Sequence, residues 1–241
     1  AEDRPANRRL VQAILTKRGH DPVLAEDGRE AFEQATTSTF DAVLMDMQMP
    51  QMNGLEATAA IREHETHSDQ HVRIVAMTAH AMQGDRERCL EAGMDGYVSK
   101  PIRQAELLAI LEEGDNTEPA SPDPPPASQE LFDAATFARN VDHDPALGRE
   151  LLDCLRSEGP ELMQRIRQAL ANREPKELSE AAHALRGTLG NFFAAAAVET
   201  AHQLEALGRE GRLDGAEALT GELERCLPAL LQAVEDQLAE F

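Results

Sequence analysis

Residues 40–62, "FDAVLMDMQMPQMNGLEATAAIR", set an apolar run from Ala42 to Met45 directly before Asp46. Pro50, Asn53 and Gly54 come next, and then a helical pattern. A short apolar run bounded by turn residues predicts a buried strand, and the periodicity after it predicts a helix. The same alternation extends outward in both directions. "PVLA" (22–25), "VRIVAM" (72–77) and "GYVS" (96–99) read as further strands, with helical segments near 7–19, 28–37, 55–64, 83–92 and 103–112. Strands alternating with helices predict a doubly wound α/β unit, a parallel sheet covered on both faces.

The pattern stops at residues 113–129, "EGDNTEPASPDPPPASQ", which carry five prolines and no large apolar side chain. Proline density predicts an extended linker, which at about 3.1 Å per residue spans up to ~50 Å. Beyond it, residues 130–241 show only helical periodicity, punctuated at Pro145, Gly159-Pro160, Pro175, Gly190 and Gly211, and so predict an all-α bundle. Three segments are therefore expected: 1–112, 113–129 and 130–241.

The net charge of −21, with acids outnumbering bases on both sides of the linker, argues against a phosphate-backbone ligand and for a protein or small-molecule partner. Cys89, Cys154 and Cys226 are widely separated and show no C-x-x-C spacing, which argues against a disulfide framework or a zinc site and fits a reducing compartment. The longest apolar run, Phe192 to Val198, is far below the roughly 18 residues of a membrane span. No nucleic-acid or membrane contact is expected.

Chemistry in a doubly wound sheet sits at the carboxyl ends of its strands. Those positions hold Glu2 and Asp3 in "AED", Asp46, Thr78 in "VAMTAH", and Lys100 before Pro101 in "YVSKP". Three converging carboxylates repel one another unless a hard cation joins them, and oxygen-rich sites with few protein ligands suit Mg²⁺. A lone lysine and a hydroxyl supply a point charge and a hydrogen bond for phosphoryl oxygens.

With these residues in order, "FDAVLMDMQMPQMNGLEATAAIR" and "IVAMTAHAMQGDRERCLEAGMDGYVSKPI" resemble the response-regulator receiver domains of two-component signalling, especially those of hybrid sensor kinases. The resemblance implies a flavodoxin-like fold, with Asp46 as phosphoacceptor. It further implies Mg²⁺ on Glu2, Asp3, Asp46 and the backbone carbonyl of Gln48, and Thr78 and Lys100 on the phosphoryl group. Tyr97 would be the switch aromatic, and the Lys100–Pro101 bond would be cis. Met45, Met47, Met49 and Met52 read as core and loop filler. The family's first strand should precede the acidic pair, whereas Ala1 stands directly before Glu2, so the sequence reads as a fragment whose sheet lacks its central strand.

In the second half, Pro175 is suited to open a helix through "PKELSEAAHALRGTLG". Helical spacing gathers Leu178, Ala182, Leu185 and Leu189 into a buried stripe and turns His183 about 130° away, toward solvent, beside Ser179, Glu180, Arg186, Gly187 and Gly190. A neutral imidazole with a free lone pair can accept a phosphoryl group, and an arginine one turn on can balance its charge. His64, His67, His71, His143 and His202 read as ordinary surface residues, and His20 and His80 as structural. "AAHALRGTLGNF" resembles the histidine-containing phosphotransfer (HPt) motif, with Arg186 where lysine is commoner and Thr188 where serine is. That resemblance implies that His183 is a second phosphoacceptor.

Together the two halves lead to an expected phosphorelay segment of a hybrid sensor histidine kinase, lying in the cytoplasmic part of a membrane-anchored parent. Phosphoryl would pass from a kinase histidine to Asp46, then to His183, then to the aspartate of a separate response regulator. Nothing in the sequence resembles an ATP-binding domain, so no autokinase activity is expected of it. Two rivals are a receiver that merely gates contacts, and an Asp-nucleophile phosphatase; such phosphatases usually carry a second Asp where this sequence has Gln48.

Overall fold

The computed structural model describes residues 1–67, 71–78, 83–112 and 131–240. The proline-rich segment 113–129 lies outside the described residues, apart from its expected role, and so does His80. The chain divides into two compact units, Ala1–Pro124 and Pro125–Phe241.

In the first unit, helices α1 (Pro5–Lys17), α2 (Gly28–Thr37), α3 (Gly54–Glu65), α4 (Gln83–Glu91) and α5 (Gln104–Glu112) alternate with strands β1 (Ala42–Asp46), β2 (Arg73–Thr78) and β3 (Gly96–Ser99). The strands form one parallel sheet in the order β1-β2-β3, with Val43 opposite Ile74 and Met77 opposite Val98. Successive side chains along β2 point to opposite faces, and both sets are buried: Ile74 and Ala76 pack with Met45, Ala57 and Ile61, while Val75 and Met77 face the other way. Such a strand cannot be told from a helix by polarity alternation, yet its length and its flanking turns identify it.

Helix α3 begins at a reciprocal cap. Asn53 Oδ1 accepts from Glu56 N (3.0 Å) and Glu56 Oε2 accepts from Asn53 N (3.0 Å). Gly54 is required there because a Cβ would collide with the Asp46 carbonyl oxygen; the glycine lets the helix start press against the end of β1.

Residues 22–25, expected as a strand, do not form one. Their backbone meets the rest of the sheet region at one rung, where Glu2 N donates to Ala25 O (3.1 Å). On the other side the Ala1 amine donates to Leu44 O (2.7 Å) and Asp46 N donates to Ala1 O (3.0 Å). One rung is not a ladder, so the β-propensity of 22–25 is not realised as a strand among the described residues. A groove of about 540 Å³ lies beside this point, lined by Leu15, Val23, Phe40, Val43 and Leu111 among others.

The second unit is helical throughout its described residues: α6 (Ala134–Asn140), α7 (Pro145–Asn172), α8 (Pro175–Gly190), α9 (Ala195–Arg209) and α10 (Ala216–Leu238). Helix α8 packs on α7 and α9, and α10 on α7 and α9. The expected stripe of Leu178, Ala182, Leu185 and Leu189 is fully buried, and Phe137 stacks on Phe192 with ring centroids 5.5 Å apart. Asp144 caps α7 by accepting from Ala146 N (2.9 Å).

Gly159-Pro160, expected to punctuate, instead lies inside α7. A proline in a helix interior costs about 3 kcal/mol, but Leu151, Leu155, Met163 and Ile166 on either side are buried, and tertiary packing of that face overrides the local penalty. Pro228 is carried inside α10 in the same way. A Cβ at Gly159 would come within 3.6 Å of Leu227, so the two interruptions stand near one level of the bundle.

Candidate functional site

Parallel pairing brings the ends of β1, β2 and β3 to one edge, and the acidic residues collect there. Glu2, Asp3 and Asp46 offer carboxylate oxygens that all lie within 4.8 Å of one another. Glu2 and Asp46 are buried, at 2% and 4% exposure, and Asp3 is half-buried. Lys100 Nζ reaches Glu2 Oε2 (2.7 Å) and Asp46 Oδ2 (2.8 Å), which ties the end of β3 to the end of β1. Gln48 N donates to Asp46 Oδ1 (3.2 Å), Lys100 N donates to Thr78 O (2.7 Å), and the Lys100–Pro101 bond is cis. Thr78 is buried at the end of β2, and Tyr97 is half-buried on β3.

Burial pushes the Asp46 carboxyl up to about 6, with Lys100 opposing that rise and Glu2 adding to it. Burial likewise raises Asp3. For Glu2 burial acts in the same direction, but Lys100 and Arg4 outweigh it and hold the carboxyl below its ordinary value. Burial would lower the Lys100 ammonium, yet Glu2 and Asp46 raise it above the usual lysine value. One lysine is thus set against three acids. Asp3 Oδ1 is buried and accepts no hydrogen bond, its cation neighbour Arg4 Nε standing 3.9 Å away. Three hard oxygens and an orphaned carboxylate atom fit a divalent cation of the Mg²⁺ class.

Reading along single strands missed the supports of this cluster. Asn7 Nδ2 donates to Glu2 Oε1 (3.0 Å), and Arg8 Nη1 donates to the Glu2 and Asp3 carbonyls (3.0 and 3.1 Å). Both sit on the first two turns of α1, where "PANRR" follows "AEDR", a proximity that was legible.

In the second unit His183 lies on α8, but less openly than the helical wheel predicts: its side chain is 19% exposed. Arg186, expected on the solvent face, is buried, and so is Gly190. The reason is α9, whose Gly208 lets the two helices approach closely; a Cβ there would stand 2.6 Å from Pro175 O and Ser179 N. This approach sets Glu205 against the imidazole. Glu205 Oε1 is 3.1 Å from His183 Nδ1 and 2.5 Å from Arg209 Nη2, and its Oε2 is 3.1 Å from Arg186 Nη1. Arg186 Nη1 also donates to His202 Nδ1 (2.9 Å). Burial would raise Glu205, but the His183 contact and the two arginines draw its carboxyl down to about 2.

His202, read from sequence as an ordinary surface residue, therefore belongs to the His183 cluster, and Glu205 went unnoticed. The signal was a pair of i, i+3 spacings, His183/Arg186 on one helix and His202/Glu205 on the next, which only a cross-helix register could join.

Comparison with known proteins agrees with both halves. The response regulator receiver domain family matches residues 1–112 and the Hpt domain family residues 150–237. Sensor protein GacS of Pseudomonas syringae pv. syringae is 34% identical over 196 residues, 77% of this chain and 22% of its own length. Hybrid signal transduction histidine kinase I of Dictyostelium discoideum is 46% identical over 116 residues, 46% of this chain and 7% of its own length. The chain thus spans about a fifth or less of these relatives. A crystallised receiver domain of a Pseudomonas aeruginosa sensor histidine kinase, with a magnesium ion coordinated in its active site cleft, is 42% identical and covers 47% of this chain and 91% of its own, at a TM-score of 0.43. The chain belongs to the response-regulator receiver family over residues 1–112 and to the Hpt family over residues 150–237, an order it shares with hybrid sensor histidine kinases.

Proposed function

We propose that this chain is a two-step phosphoryl carrier: Asp46 accepts a phosphoryl group from a histidine kinase core, His183 takes it from Asp46, and the aspartate of a separate response regulator takes it from His183. What supports the reading most is that one chain holds both a lysine-tethered aspartate in an acid cluster and an accessible imidazole backed by a carboxylate and two guanidinium groups.

In the first step an Asp46 carboxylate oxygen forms a bond to phosphorus as the bond from phosphorus to the donor imidazole nitrogen breaks. In the second, a His183 ring nitrogen forms the new bond and the Asp46 carboxylate leaves. Lys100 Nζ, held between Glu2 and Asp46, stands where it can follow the phosphoryl oxygens, and the Thr78 hydroxyl at the next strand end can donate to them. Asp3, Asp46 and Glu2, with the Gln48 carbonyl, would hold Mg²⁺, which supplies positive charge to the transferring oxygens. Arg186, one turn beyond His183, balances charge on the second carrier. Tyr97 would respond to phosphorylation as the switch aromatic. The kinase core would lie in the same parent protein, and the segment would work in the cytoplasm. Among the described residues no helix is long and apolar enough to cross a membrane.

The test supplies phosphorylated kinase core, Mg²⁺ and a downstream regulator to the wild type, Asp46→Asn and His183→Gln. Label should reach the regulator only through the wild type, with His183→Gln retaining it on Asp46. Label reaching the regulator through His183→Gln would overturn the relay.

A further inference from the structure

We infer that Arg4 sets the metal threshold of the acid cluster: its guanidinium stands beside Asp3 and opposes entry of a divalent cation while Asp46 is unphosphorylated. The inference rests on the Mg²⁺ and Asp46 readings above and adds the residue that tunes them.

Helix formation gives no reason for an arginine at this position. Arg4 is the N-cap of α1, its side chain makes no cap hydrogen bond, and no acid lies in the first turn that follows. Caps favour Ser, Thr, Asp and Asn, and the positive end of the helix dipole disfavours a cation. Burial of that cation adds to the cost, and Arg4 is only 9% exposed. A residue that breaks local rules in this way belongs where function requires it. What Arg4 faces is the acid cluster. Its N–H donates to Glu2 Oε1 (3.3 Å), and its Nε stands 3.9 Å from the buried Asp3 Oδ1. That separation gives charge attraction without a hydrogen bond. Burial raises the Asp3 carboxyl, and Arg4 is the largest charge opposing the rise.

The neighbouring cations have separate duties. Lys100 bridges Glu2 and Asp46, while Arg8 is engaged by the Glu2 and Asp3 carbonyls and by Glu26 Oε1 (2.9 Å). Arg4 is the cation beside Asp3. With Glu2, Asp3 and Asp46 ionised, the side chains of Lys100 and Arg4 leave one negative charge of the cluster uncompensated, and a divalent cation would overshoot it. Phosphoryl transfer changes the balance. As an Asp46 oxygen bonds to phosphorus and the donor nitrogen leaves, the single charge of the carboxylate gives way to the roughly two of a phosphoryl group. Two charges are then uncompensated, the number that Mg²⁺ carries. Without Arg4 that match already exists in the unphosphorylated site.

The test titrates Mg²⁺ into the full unphosphorylated chain by calorimetry. Arg4→Gln should bind it roughly ten-fold tighter than the wild type, whereas Arg4→Lys, which keeps the charge, should stay within about three-fold of the wild type. The sign separates tuning from support, since loss of a residue that merely held the acids in place would weaken binding. Equal or weaker binding by Arg4→Gln overturns the proposal, and so does an Arg4→Lys that binds as tightly as Arg4→Gln. A second measurement uses the wild type alone and decides should Arg4→Gln not fold. In ¹⁵N-arginine spectra, exchange of the Arg4 Nε proton with water should quicken as Mg²⁺ saturates, because the ion takes Asp3 from the guanidinium. Exchange that Mg²⁺ leaves unchanged overturns the proposal. No Mg²⁺ binding by the wild type or either variant overturns the metal reading of the cluster instead.

Discussion

The two candidate phosphoacceptor sites balance their charges in opposite ways. Around Asp46, Lys100 bridges two of three clustered carboxylates, the third keeps a buried oxygen that accepts no hydrogen bond, and burial raises two of the three acids. Around His183, one carboxylate is shared by two arginines and the imidazole, and it is drawn down to about 2. The first site gathers three acids around one lysine; the second sets one acid against two arginines. One consequence is that the first should respond to metal and the second should not.

The largest expected effect comes from breaking the self-sufficient site. Glu205→Ala leaves Arg186 buried without its carboxylate, and losing one partner of a buried pair costs about 3–5 kcal/mol. Helical circular dichroism in urea should show this loss in the unit Pro125–Phe241. A cost below about 1 kcal/mol would mean that Arg186 does not depend on Glu205.

Next is a change of opposite sign in the receiver. The chain has one tyrosine and no tryptophan, so Tyr97 fluorescence reports on that unit alone. Asp46 is raised from 3.8 to about 6, so its protonated form is the one that favours folding. That stability is fully present below the unfolded value and is lost as pH rises through about 6. At pH 7 without metal, Asp46→Asn should therefore stabilise the receiver, by up to about 3 kcal/mol. Glu205 runs the other way: its contribution is present above about 4.5 and is lost as pH falls through about 2. Acidification should thus favour the first unit near pH 5 and weaken the second near pH 3. Parallel responses would break the comparison.

Metal comes third. Mg²⁺ at a hundred times its dissociation constant should stabilise the receiver by about 2.7 kcal/mol, an effect that Asp3→Asn removes and that leaves the helical unit unmoved. Stabilisation of both units would point to nonspecific screening. The smallest effect is a control on fold: Asn53→Ala removes the α3 cap and should cost about 1 kcal/mol, read by Tyr97, with the Asp46 carboxyl still raised.

The sequence made much of this legible where a feature depends on neighbours along the chain. Strands β1 to β3 and their acid and lysine ends were readable because a buried parallel strand is a short apolar run with turns at both ends. The stripe of α8 was readable for the same reason, its period being local. What failed depends on partners distant in sequence. Residues 22–25 have strand composition, but among the described residues their one backbone rung is from Glu2. Gly159-Pro160 looks like an end because the burial that carries α7 through it comes from other helices. His202 and Glu205 look like surface polar residues until Gly208 brings α9 onto α8.

The paired interruptions of α7 and α10 have a dynamic consequence. Pro160 and Pro228 have no amide hydrogen, so the carbonyls of Arg156 and Glu224 lack their i+4 donors, and a Cβ at Gly159 would touch Leu227 at that same level. Each long helix becomes two shorter hydrogen-bonded rods sharing a common seam. Amide exchange should divide there, with the halves of the bundle breathing as separate cooperative layers rather than fraying from their ends.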